Sequence, residues 1–213
     1  MNDRRASSLT SIPNLLSISR LPLALVFAWA LYVGDATWLA IGFLVALVAM
    51  ITDGLDGWAA RKMGLVSDFG KLFDPLADAI FFVIAFVGFA LGELIPWWLA
   101  MPFVVRELLQ HLWLRPLAKK RGLAMGAKLI GKLKTVTQAV VVLAVVAIEW
   151  ARITPAIRDA LGLGEDQSGY LLAYGIMCGI AASLSVGSIV PYIITVASLK
   201  QQANESPAPT VEE

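Results

Sequence analysis

Cysteine and histidine are almost missing from this 213-residue chain, which has Cys178 and His111 as the single representative of each. One cysteine excludes an intramolecular disulfide, and so short a supply of sulfur and imidazole excludes the clusters that hold zinc or other soft metals. Cys178 stands in the last apolar run and reads as a small packing residue. Charged residues are also scarce, at 15%, and nearly balanced, with a formal net charge of +1. No nucleic-acid polymer is expected as a partner.

Apolar residues fill the space that charge leaves. They make up 58% of the chain, with a mean hydropathy of +0.74, which describes a polytopic membrane protein rather than a water-soluble domain. The apolar runs predict an all-α, six-helix transmembrane bundle with spans near 13–33, 38–62, 70–91, 96–119, 128–150 and 170–199. One membrane domain, 1–200, is expected, followed by a tail, 201–213, rich in Glu, Pro and small residues and expected to be disordered. The lead-in from Ser7 to Ser19 reads as an interfacial segment, with Pro13 tolerated in a first helical turn.

Charge distribution predicts the orientation. An even number of spans puts both termini on one face, together with Arg4, Arg5, Arg61, Lys62, Lys71, Arg115, Lys119, Lys120, Arg121, Lys128, Lys132, Lys134 and Lys200, whereas the other face has Arg152 and Arg158 among several acids. By the positive-inside rule the first face is cytoplasmic, in an inner or plasma membrane. Arg4 and Arg5 ahead of an apolar run ending in Ala28-Trp29-Ala30 invite a signal-peptide reading. Cleavage would leave an odd number of spans and spoil the asymmetry, so the segment is expected to stay. On the outer face, Thr154-Pro155 and Gly162 bracket one short helix as cap, first-turn proline and terminal glycine. Trp97, Trp98, Trp113 and Trp150 read as interfacial anchors.

Against this background, acids inside apolar sequence demand an explanation. They recur as Asp53-x-x-Asp56-Gly57-x-x-Ala60-Arg61 and, eight residues later, Gly70-x-x-x-Asp74-x-x-x-Asp78. Each acid in a spanning helix costs about 2.5 to 3.5 kcal/mol on insertion scales, unless something satisfies it. At 3.6 residues per turn Asp53, Asp56, Gly57 and Ala60 share one stripe, and Gly70, Asp74 and Asp78 another. Two facing acidic stripes of oxygen donors suit hard ions, Mg2+ or Mn2+, as a two-metal site. Gly57 and Gly70 leave room for close approach, and Arg61 offers a fork for phosphate oxygens. The pattern points to phosphoryl chemistry on a nucleotide diphosphate. The rival reading from a different class is an ion- or proton-coupled transporter, in which such acids would form an ion pathway.

These eight positions match the signature of the CDP-alcohol phosphotransferases, and the chain resembles that family of membrane enzymes of phospholipid synthesis. The resemblance implies that Asp53, Asp56, Asp74 and Asp78 hold the metals and that Asp78 also serves as general base. It implies that Asp53, Asp56, Gly57, Ala60, Arg61, Gly70 and Asp74 bind the CDP moiety, with Asn14, Ser17 and Arg20 lining the nucleotide pocket. It further implies CDP-diacylglycerol as donor, membrane lipids as surroundings, and often a homodimer.

The acceptor is read from a second set of charges. Arg106, Arg115, Lys128, Lys132 and Lys134 cluster around the fourth and fifth spans and would suit an acceptor carrying its own phosphate, a small phosphorylated alcohol. Their other reading is positive-inside charge touching lipid headgroups. Arg106 lies inside an apolar span, where topology alone does not explain it. Ile12-Pro13-Asn14-Leu15-Leu16-Ser17, Arg106-Glu107 and Ile130-Gly131-Lys132-Leu133-Lys134-Thr135 resemble the phosphatidylglycerophosphate synthase branch, which uses glycerol 3-phosphate. The chain departs from that branch at Ala79, where lysine is usual. Cardiolipin synthase and phosphatidylinositol-phosphate synthase remain the alternatives within the family.

Overall fold

In a computed structural model, the structure describes residues 12–63, 68–120, 129–164 and 166–194, with the side chains at 12–14, 16, 56–63, 68–72, 74 and 118–120 outside the described set. The tail and the first eleven residues lie outside it too. Every described element is helical. They are α1 (Ile12–Val33), α2 (Ala36–Met63), α3 (Asp68–Leu91), α4 (Trp97–Leu108), a π-helical turn (Leu109–Leu114), α5 (Arg115–Lys120), α6 (Leu129–Ile153), α7 (Pro155–Ala160) and α8 (Gln167–Gly187).

The long helices close into a ring in the order α1, α2, α6, α8, α4 and α3, each packed on the next, with α3 and α6 also touching across the middle. Helix α1 can wedge between α2 and α3 because glycine faces it on both sides. A Cβ built at Gly42 would lie 3.1 Å from Ala30 Cβ, and one at Gly88 only 2.6 Å from Leu31 Cδ1. The two contacts draw the backbones of α2 and α3 close to α1 at its C-terminal half.

On several helices large aliphatic residues point outward, while the core holds small residues together with aromatic rings. On α8 the buried positions are Tyr174, Cys178, Ala181, Ala182 and Ser185, while Leu172, Ile176 and Ile180 are exposed. Trp29, Tyr32, Leu44 and Ile51 likewise point outward. Large apolar side chains presented to the outside in this number suit a membrane protein in contact with lipid. Three described helices are long and apolar enough to cross a membrane, Ala36–Leu55, Leu129–Ile153 and Gln167–Ile194, with shorter apolar stretches at Ser17–Val33 and Pro75–Leu91. The fourth expected span is an α–π–α path, Trp97 to Lys120, rather than one regular helix.

The core concentrates aromatic rings on α3. Phe86 stacks parallel on Phe103 of α4 at a centroid distance of 3.6 Å, and Phe89 meets Phe86 edge to face at 6.0 Å. Cys178 is fully buried in this core, as expected of a packing residue. At the end of the bundle away from the aspartates, Glu149 accepts from Arg152 Nε at 3.0 Å and Nη2 at 2.5 Å, and from the Tyr174 hydroxyl at 3.0 Å. This ties α6 to α8. Trp97, Trp98 and Trp113 are exposed as anchors would be, whereas Trp150 is partly buried against the core.

Helix ends follow local chemistry. Helix α7 forms between Thr154 and Gly162, whose φ of 64° closes it: Leu163 N donates to Arg158 O at 2.9 Å and Gly162 N to Asp159 O at 3.2 Å. Thr154 holds the cap position, but its side chain does not cap. Its hydroxyl turns back to donate to Trp150 O at 2.7 Å, because the end of α6 is only one turn away. Asp166 caps α8, accepting from Ser168 N at 3.1 Å, and these bonds to Ser168 hold its carboxyl below the usual range.

The end of α3 has the same hydrogen-bond pattern as that of α7, with Leu94 N donating to Phe89 O at 2.9 Å and Glu93 N to Ala90 O at 3.3 Å, but the left-handed position holds Glu93, at φ 57°. A side chain there costs about 1 kcal/mol or more over glycine. Glu93→Gly is therefore expected to raise the thermal unfolding midpoint of the detergent-solubilised protein. An unchanged or lower midpoint would show that the Glu93 side chain compensates for its own backbone.

Candidate functional site

Helix α1 carries Arg20 into the interior between α2 and α3, where the residue is 1% exposed. Its guanidinium bridges the two described signature acids. Nη2 lies 2.9 Å from Asp53 Oδ1 on α2, and Nη1 donates to Asp78 Oδ1 on α3. Asp53 of α2 and Asp78 of α3 thus face each other across α1's arginine. Ser17, buried one turn before Arg20, shares its side of α1. Of the other signature residues, Asp56, Gly57, Ala60 and Arg61 lie on α2 and Gly70 and Asp74 on α3, and their side chains, with that of Asn14, are outside the described set.

Asp53 and Asp78 are the members of the expected metal site whose side chains are described, and no group of three or more possible ligands gathers among the described residues. The two acids converge from different helices with oxygen donors only and remain partly open, their side chains 40% and 28% exposed. That donor set fits a hard divalent cation. The positive charge balancing both acids here is Arg20.

Two cavities meet at Asp78. The first, about 180 Å³, is bounded by Arg20, Asp53 and Asp78 with apolar walls from α2, α3 and α6. The second, about 230 Å³, holds Arg106, Arg115 and Lys134 against Glu107 and Asp78. Asp78, Phe82 and Thr135 line both. Three cations against two carboxylates leave the second cavity positive, which suits an anion.

Two of the cations of that cavity, Arg106 and Lys134, are tied together by one carboxylate. Glu107 Oε1 accepts from Arg106 Nη1 at 2.6 Å and also from Lys134 Nζ on α6, while Arg106 Nη2 donates to Ser188 Oγ at 3.1 Å beyond the end of α8. Arg106, Glu107 and Lys134 are all buried. Several segments therefore converge on this pocket: α3, the path from α4 through the π turn to the start of α5, α6, and the stretch after α8.

Of the expected acceptor residues, Arg106, Arg115 and Lys134 are brought together. Lys132 is not. It is exposed and absent from the described lining, because residues two apart on a helix point to nearly opposite sides and Lys134 is the one that faces in. Lys128 lies outside the described residues. The central part of Glu107 was not read from the sequence, nor were Gln110, His111 and Tyr192 as lining residues. A signal was there: Glu107, Gln110 and His111 are polar at i, i+3 and i+4 within an apolar span, hence on one helical side.

The family model for CDP-alcohol phosphatidyltransferases matches residues 10–181, and the chain belongs to that family. Among similar proteins, a probable phosphatidylglycerophosphate synthase of Mycobacterium tuberculosis (strain ATCC 25618 / H37Rv) is 34% identical over 137 residues, covering 63% of this chain and 65% of that protein. The CDP-diacylglycerol–glycerol-3-phosphate 3-phosphatidyltransferase of Bacillus subtilis (strain 168) is 32% identical over 145 residues, 62% of this chain and 74% of its own length. The protein of that name in Salmonella paratyphi A (strain ATCC 9150 / SARB42) is 29% identical over 189 residues, 86% and 93% of the two chains. The chain thus spans slightly under two thirds of the mycobacterial relative and nearly all of the Salmonella one.

Because Glu107 holds two buried cations, its loss leaves Arg106 and Lys134 repelling each other. Glu107→Gln is expected to destabilise the detergent-solubilised protein by about 3 kcal/mol. Adding Lys134→Met should recover part of that loss, so that the two changes are strongly non-additive in unfolding measurements. Simple additivity would show that the Glu107–Lys134 contact does not carry the effect.

Proposed function

We propose that the protein transfers a phosphatidyl group from CDP-diacylglycerol to glycerol 3-phosphate and releases CMP. The observation that carries this reading is the shared wall at Asp78. Among the described residues it is the one carboxylate that borders both the aspartate–arginine cavity and the cation-rich cavity. A donor diphosphate in the first and an acceptor phosphate in the second would bring the acceptor hydroxyl and the lipid-side phosphorus together there. The names of the relatives point to the same acceptor.

The residues divide the work. Arg20 and Arg61 supply cationic forks for the diphosphate, and Arg106, Arg115 and Lys134 bind the acceptor's phosphate. Asp78 accepts the hydroxyl proton as the new oxygen–phosphorus bond forms and the bond to CMP breaks. Asp53, Asp56, Asp74 and Asp78 would hold Mg2+ or Mn2+. A hard divalent ion bound there supplies charge neutralisation for the diphosphate and its leaving group.

The ring of six helices favours six crossings, with the aspartate end and both termini cytoplasmic. The charge asymmetry and the large aliphatic side chains pointing outward support this. Cys178 is the single cysteine and is buried, so introduced thiols report cleanly. Ala156→Cys on α7 should be labelled by an impermeant maleimide from the outside of intact cells. Labelling solely after lysis would reverse the orientation.

The activity is tested with purified protein, CDP-diacylglycerol, Mg2+ or Mn2+ and a panel of acceptors. Glycerol 3-phosphate should give product, and inositol, serine and free glycerol little. Asp53→Asn should abolish CMP release, and chelation should do so reversibly. Arg106→Met should raise KM for glycerol 3-phosphate about 10-fold or more, with a far smaller effect on the donor. Better turnover of a lipid acceptor such as phosphatidylglycerol would replace this reading with a cardiolipin-forming one.

A further inference from the structure

The second cavity holds more polar groups than phosphate binding uses. Gln110 is 7% exposed, and its Oε1 has no hydrogen-bond partner among the described residues. Neither ring nitrogen of His111 has one either, although its side chain is 11% exposed. Glu107 Oε2 lies 4.0 Å from His111 Nδ1, too far for a hydrogen bond. Each polar group left buried this way costs about 1 to 3 kcal/mol, which a ligand held in the cavity would offset.

The backbone sets these two side chains apart from the rest of α4. Gln110 and His111 sit on the π-helical turn Leu109–Leu114, an irregularity that carries weaker hydrogen-bond geometry and recurs at functional sites. Glu107, Gln110, His111 and Arg115 all line the cavity.

A three-carbon polyol phosphate makes three demands on its site. Its phosphate needs cations, its terminal primary hydroxyl must reach the donor, and its middle hydroxyl is both a hydrogen-bond donor and an acceptor. Arg106, Arg115 and Lys134 meet the first demand and Asp78 borders the second. An amide oxygen accepts, and a neutral imidazole offers one donor and one acceptor, which together complement a hydroxyl. We propose that Gln110 and His111 form a hydroxyl-recognising subsite that grips the middle hydroxyl of the acceptor and sets the preference for a polyol phosphate. This rests on the acceptor reading above and adds the part of the molecule that reading leaves without a partner.

The test compares glycerol 3-phosphate with 3-hydroxypropyl phosphate, which keeps the phosphate and the attacking hydroxyl but lacks the middle one. Both are assayed with CDP-diacylglycerol in mixed micelles, on the same preparation of the full chain. The unmodified protein should favour glycerol 3-phosphate by about 10-fold or more in kcat/KM. In Gln110→Leu and His111→Phe that ratio should fall toward about 1, mainly through loss of activity on glycerol 3-phosphate. A ratio does not depend on how much of a variant folds, and Gln110→Met and His111→Asn serve the same measurement where the larger changes leave no active protein. Turnover of both phosphates at equal kcat/KM by the unmodified protein, or a ratio preserved in the variants, overturns the subsite while leaving the acceptor assignment standing. No turnover of either phosphate defeats the acceptor assignment itself, and the subsite falls with it.

Discussion

A buried guanidinium held between two carboxylates governs this bundle. Arg20 joins Asp53 and Asp78 across three helices, and its own charge is buried where it could not stand alone. The contact dictates that α1 lie between α2 and α3 and that Asp53 and Asp78 face one another. The glycines that let α2 and α3 close on α1 at its other half serve the same geometry. Chemistry and packing are inseparable here, because the charges that would handle a diphosphate also register the helices.

The second polar cluster obeys the same rule with the signs reversed. Glu107 is one carboxylate between two cations, as Arg20 is one cation between two carboxylates. Each hub is buried and draws on more than one helix. The clusters are separated by the wall of Asp78, Phe82 and Thr135, so opposite charge patterns lie on its two sides. At the far end Glu149, Arg152 and Tyr174 form a third knot, which clasps α6 to α8.

Much of this was legible in the sequence. Asp53 and Asp78 share a site because period and spacing put them on stripes aimed one way, and Arg20 appeared in the flanking resemblance. The short outer helix was readable from Thr154, Pro155 and Gly162. The divergence of Lys132 and Lys134 was implicit in their spacing of two. The failed cap of Thr154 was not readable, since its hydroxyl chose a carbonyl of the preceding helix over the amide ahead.

What the sequence by itself determined is the membrane class, the helical character of the spans and the signature that places the chain in its family, because these depend on composition and on directions within one helix. The tertiary structure alone decided which helices are neighbours in the ring, that Glu107 reaches Lys134, that a π turn carries Gln110 and His111 into a cavity, and that Asp78 stands between two pockets. Helical period relates side chains on the same helix. The partners of a buried charge come from other helices, and only packing brings those together.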